Sequence, residues 1–133
     1  MSKNQTPLTR KYWKSVGGTL IEEYSAVQGE KGAAPRYIDA VIIRRGRKRI
    51  LRGGSPIVKG KEIIVVQTEA GRLGMYLLGQ ALFSRELMKR FKPKSIKTVA
   101  LCESGDSILG PIAKRYSIDV VTIPARNRRL TSR

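Results

Sequence analysis

The chain has 133 residues, with 27 Lys and Arg against 10 Asp and Glu, a formal net charge of +17, no histidine and one cysteine, Cys102. That inventory excludes an internal disulfide framework, a Cys/His metal site, and any Ser-His-Asp or Cys-His catalyst; a metal, if used, is held by oxygen ligands and is a hard ion such as Mg²⁺ or Mn²⁺. The length is one domain's worth, expected over 1–124 with a basic flexible tail over 125–133, and the charge argues for a polyanionic partner rather than for any particular fold. No apolar run approaches the roughly 20 residues of a membrane-spanning helix. The opening MSKNQTPLTRKYWK has no apolar signal core, so no membrane partner and a reduced, cytoplasmic setting are expected.

In chain order, a helix is expected from Thr9 or Ser15 to about Tyr24. Trp13, Val16, Gly17, Leu20, Ile21 and Tyr24 fall on one stripe at about 100° per residue. On that wheel Glu22 points to solvent, and Glu23 at the stripe's edge can reach the interior. The loop QGEKGAAP leads to a strand over 36–43, RYIDAVII. Both of its faces are apolar apart from Asp39, which marks a largely buried strand. A carboxylate there costs several kcal/mol unless it is paired or binds a metal.

The run Arg44, Arg45, Gly46, Arg47, Lys48, Arg49 carries five positive charges in six residues. It reads as a turn into a hairpin whose return strand starts near Ile50 and Leu51, and as a phosphate-contacting loop beside a candidate site. A central strand over 62–68 follows, with Gln67 and Glu69 leaving its end on one side. An unusually apolar helix is expected over 70–91, with Gln80 and Arg85 as polar exceptions. Its apolarity around most of the circumference implies burial on two sides, by the sheet and by the first helix or a second subunit. A strand over 96–102, a helix opened by Ser104-Gly105-Asp106 and a strand over 118–123 complete an α/β domain with a mixed central sheet flanked by helices.

Asp39, Gln67, Glu69 and Glu23 supply hard oxygen groups suited to phosphodiester chemistry. A carboxylate-bound divalent ion neutralises phosphate charge, lowers the pKa of bound water and steadies the leaving oxygen. Each residue also has a plainer reading: Asp39 paired with Arg36 or another arginine, Gln67 bonded to backbone, Glu69 an acid favoured by the next helix's dipole, and Glu23 a surface acid.

The order helix, strand, strand, strand, helix, strand, together with "GGTLIEEY", "RYIDAVII" and "IIVVQTE", resembles the restriction-endonuclease-like, or PD-(D/E)XK, nuclease superfamily over about residues 11–102. The resemblance implies a metal-dependent DNA endonuclease. Asp39 becomes the chief metal ligand and Gln67 the first position of the third-strand motif, orienting ligand or water. Glu69 stands at the usual Lys position, as a metal ligand or general base. Glu23 becomes an auxiliary acid, and Arg72 stands near the phosphate. A homodimer that cuts both strands is expected, with DNA as partner and RNA not separable by motif. Glu69 in place of Lys departs from the family pattern and leaves two rivals: a catalytically inactive nucleic-acid-binding protein of the same fold, and a basic subunit of a larger assembly. A nucleotide site at 103–107, ESGDS, ranks last because the loop lacks the P-loop lysine pattern.

Overall fold

The computed structural model describes residues 5–125. The expected basic tail, beyond its first residue, lies outside the described residues. The elements are α1 (Gln5–Val16), β1 (Thr19–Val27), β2 (Arg36–Ile43), β3 (Arg49–Arg52), β4 (Glu62–Thr68), α2 (Met75–Lys89), β5 (Ser95–Cys102), α3 (Leu109–Arg115) and β6 (Ile118–Thr122). They form an α/β fold around one mixed six-stranded sheet in the order β3-β1-β2-β4-β5-β6. β1 and β4 flank β2, both antiparallel to it, while β5 and β6 extend the sheet in parallel. The parallel pairs need crossovers, which α2 and α3 supply.

The first expected helix is two elements. Gly17 and Gly18 sit at φ +78° and +83°, a left-handed pair that ends α1 where an L side chain would be strained. The Gly17 N–H donates to the Trp13 carbonyl at 2.7 Å, and the Trp13 indole N–H donates to the Gly18 carbonyl at 2.8 Å. The chain then turns directly into β1. A Cβ on Gly18 would stand 2.3 Å from the Ile43 carbonyl oxygen, so the glycine is also what lets β1 close on β2. TLIEEYSAV satisfies helical and extended spacing about equally well, and the two glycines decide between them.

β3 does not form a hairpin with β2. It lies parallel to β1, with Thr19 opposite Arg49 and Glu22 opposite Arg52, because β1 and β4 already occupy both edges of β2. α2 starts five residues later than expected. Residues 70–74 are instead tied to the exit of β5: Glu103 and Ser104 N–H groups donate to the Gly71 carbonyl, and Leu73 N–H to that of Ser104.

The sheet is covered on both faces. On one, Leu8, Tyr12 and Trp13 of α1 pack on Leu20, Ile42, Ile64, Val66 and Leu101. On the other, Met88 of α2 packs with Ile21, Val41, Ile63 and Val65, and Leu77 and Ala81 pack with Ala100, Cys102 and Ala113. All four apolar residues of β4 are at most 1% exposed, as a strand buried on both faces requires. Each such side chain contributes about 1.5–3 kcal/mol of burial. Cys102 is a core thiol, its pKa pushed up first by burial. α1 and α2 lie on opposite faces, so the first helix is not the second cover of α2.

Replacing either glycine separates conformation from space. Gly17→Ala, with nothing near its Cβ, should cost about 1 kcal/mol in urea unfolding. Gly18→Ala adds the clash with Ile43 and should cost at least about 2 kcal/mol.

Candidate active site

Backbone register assembles the site. Glu22 faces Ala40 and Tyr24 faces Ile38 across β1 and β2, which sets Glu23 at the level of Asp39. Ala40 faces Val66 across β2 and β4, so the next residue outward on each strand, Asp39 and Gln67, also share that level. Three adjacent strands thus deliver Glu23, Asp39 and Gln67 to one height of the sheet. Glu23 has φ +54°, a left-handed conformation costing a non-glycine residue roughly 1–2 kcal/mol. Such strain is characteristic of functional positions.

Asp39 is half-buried. Its Oδ2 accepts the Thr68 N–H at 3.0 Å, the one hydrogen bond that reaches it among the described residues; no arginine pairs with it. Burial, foremost, pushes its carboxyl pKa up, against the pull of the Thr68 N–H. An ionised Asp39 is therefore held against its preference, a situation a bound cation relieves.

Gln67, 4% exposed, donates from Nε2 to the Ser84 hydroxyl of α2 at 2.6 Å, a side-chain partner rather than backbone. One residue on, the Thr68 hydroxyl shares a hydrogen bond with that of Thr9 of α1 at 2.7 Å. The end of β4 is thus pinned to a helix on each face. Glu69 lies just beyond the strand, half-buried, with its N–H on the Leu101 carbonyl at 3.0 Å. It precedes Met75 by six residues, so it does not stand in the first turn of α2 and the helix-dipole reading fails.

Glu22 is corrected from a solvated residue to a fully buried one. Its oxygens take Arg10 Nε at 2.8 Å, Arg10 Nη2 at 3.0 Å and Arg52 Nη1 at 3.2 Å. The Arg10 hydrogen bond, foremost, holds its pKa below the usual glutamate value. Glu23, on a strand rather than a helix, keeps a quarter of its side chain exposed, 4.0 Å from Arg52.

The basic run Arg44, Arg45, Arg47, Lys48 and Arg49 is exposed, but it lies past Ile43, the end of β2, whereas Asp39 stands in the middle of that strand. The separation along the strand is about 17 Å, so the run does not flank the carboxylates. Arg45 pairs there with Glu62. Arg72 is at the Asp39 end of the sheet, in the 70–74 loop, bridged to Ser104. In the ESGDS loop, Asp106 Oδ1 accepts the Ile108 and Leu109 N–H groups. The loop's own carboxylate therefore occupies the position an incoming phosphate would need.

Among the described residues, no group of three or more Cys, His, Asp or Glu side chains converges as a metal cage. The donors present fit a looser arrangement. Mg²⁺ is commonly held by one or two carboxylates, with water and substrate phosphate oxygens completing its shell. Asp39, crowded by Glu23 and bearing one N–H, supplies that kind of anchor, with Glu69 and the Gln67 amide as further oxygens from the same strand end.

Ser84, Arg10 and Arg52 are site-shaping residues that sequence reasoning passed over. Ser84 carried a signal: with Leu77, Ala81 and Met88 it keeps helical spacing on the buried face of α2, and a buried hydroxyl needs a partner. The arginines carried none, since their acceptor, Glu22, was read on the wrong element.

Asp39→Asn keeps an acceptor for Thr68 but no charge. Because the folded-state pKa of Asp39 is raised, its ionisation opposes folding as pH rises through that pKa. The variant should therefore melt higher than wild type at neutral pH in EDTA and lose any thermal shift that Mg²⁺ or Mn²⁺ gives wild type. Glu22→Gln should destabilise by about 2 kcal/mol at neutral pH. The folded-state pKa of Glu22 lies below the ordinary value of 4.5, so its contribution is present above that value and fades as pH falls through the lower folded one. Urea melts of wild type and variant should converge in acid.

No family model, no curated protein and no solved structure matches this chain.

Proposed function

We propose that the protein is a metal-dependent nuclease acting on DNA, with Asp39 as the principal metal ligand. The observation that supports the reading is the register that sets Glu23, Asp39 and Gln67 at one level of three adjacent strands. The element order departs in part from the one on which the resemblance to restriction-endonuclease-like enzymes rests: four strands, β1 to β4, stand between α1 and α2 in place of three, and Glu23 lies on β1 rather than on the first helix.

A divalent ion bound there supplies charge neutralisation and an acidified water. The chain's own residues do the positioning. Asp39 is oriented by the Thr68 N–H, and Gln67 by Ser84. Glu69, at the mouth of the strand, is the candidate to take the proton of an attacking water. Arg72, in the loop that follows β4, is the residue proposed to meet a phosphate, where an arginine acts only electrostatically. The basic loop after β2 is about 17 Å away, roughly half a turn of B-form duplex. A duplex lying along β2 would meet both.

A second reading, a nucleic-acid-binding protein of the same fold without catalysis, is favoured by two features. No three acidic side chains cluster among the described residues, and a glutamate stands where the resemblance implies lysine.

Cleavage of plasmid and branched DNA at low salt, with Mg²⁺, Mn²⁺ or EDTA, separates the two. The nuclease reading expects metal-dependent cutting that falls at least about 100-fold in Asp39→Ala while binding persists. Binding without cutting in wild type, with cutting gained in Glu69→Lys, would establish the silent reading. Neither binding nor cutting would remove both.

A further inference from the structure

The outer face of α2 is not covered by any described element. Met75, Tyr76 and Phe83 are 76%, 73% and 70% exposed, and Tyr37 at the start of β2 is 59% exposed. They border an open groove of about 810 Å³ whose wall includes Gln67 and Ser84, with Arg36 beside it. Three aromatic side chains thus border the groove, and Gln67 stands both in its wall and at the level of Asp39, which follows Tyr37 by two residues on β2.

The chemistry of the groove selects its occupant. A seam between two copies of the chain would bring together two molecules of +17 charge, whose mutual repulsion opposes it. A nucleobase suits all the parts. Its π-face stacks on Tyr or Phe, and its edge takes hydrogen bonds from an amide. Gln67 has such capacity left, since its one bond to Ser84 uses a single N–H of an amide that carries two N–H groups and a carbonyl. The sugar-phosphate behind the base then meets Arg36 and the field of a strongly basic chain. The volume lies within the usual range for small-molecule and nucleotide-sized sites.

We propose that this groove seats an unstacked base, so that the preferred ligand is nucleic acid with at least one unpaired nucleotide beside Asp39. The inference rests on the nucleic-acid reading above and deepens it by naming the substrate class.

The test is equilibrium binding of the whole chain in EDTA at low salt. The probes are a single-stranded oligonucleotide and the same sequence as a blunt duplex, each carrying a fluorescent adenine analogue. The variants are Tyr76→Ala and Phe83→Ala, whose exposure leaves the core intact, with Tyr76→Phe and Phe83→Trp as ring-preserving controls. Wild type should quench the analogue on binding the single strand. Each alanine variant should weaken that binding roughly tenfold, with duplex affinity unchanged and the ring-preserving variants near wild type. Single-strand affinity unchanged in both alanine variants, or an equal loss on single strand and duplex, would overturn the base site while leaving the nucleic-acid reading standing. So would sedimentation showing a wild-type dimer that Phe83→Ala dissociates without loss of single-strand affinity, which would make the face a self-association seam. Wild type binding neither probe would remove the nucleic-acid reading as well.

Discussion

A carboxylate among apolar strands has to be paired or neutralised, and much of this sheet's organisation follows from how that requirement is met. Glu22 meets it with two arginines, one from α1 and one from the edge strand β3. In doing so it ties the helix on one face and the outermost strand to the second strand of the sheet. Glu103 meets it with the Gly71 N–H, which fastens the loop before α2 to the end of β5. Asp39 likewise has a single N–H, from Thr68, and has another acid beside it. Asp39, whose pKa burial pushes up, stands at the level where three strands deliver polar groups together.

The rigidity of that level comes from β4. Its apolar residues are buried on both faces, and its last two residues hydrogen-bond to helices on opposite sides, Gln67 to Ser84 of α2 and Thr68 to Thr9 of α1. A site built on a central strand braced in this way holds its groups more tightly than one built on a loop. The charge is arranged differently. The densest basic run lies at the far end of β2, where Arg45 pairs with Glu62, while Arg36 and Arg72 stand nearer the acids. Basic residues are therefore spread along the length of the strand rather than gathered in a single patch.

Local pattern was sufficient wherever a segment had one reading. β2 and β4 are legible residue by residue, because continuous apolar runs flanked by turn residues admit only a buried strand at that length. Asp39 and Gln67 stood out for the same reason, as polar side chains in positions that burial makes expensive. Residues 19–27 had two readings. Leu20, Ile21 and Tyr24 suit a helical stripe, yet with both faces buried they suit a strand equally, and the helical reading moved Glu22 to the surface and Glu23 inward. The paired glycines before them were read as weak helix residues when they were the end of the helix.

The sequence by itself determined the α/β class, the buried strands β2 and β4 and the polar exceptions Asp39 and Gln67 within them, because hydrophobic periodicity and the cost of burying charge act through residues close together in the chain. Tertiary structure alone decided that β3 joins β1 rather than β2, that Glu22 is the buried acid, and that Gln67 answers to Ser84. Each of these depends on which strand edges remain open once the sheet has assembled, and on partners 12 to 30 residues apart. Spacing along a chain carries no record of a pairing that only the packed sheet creates.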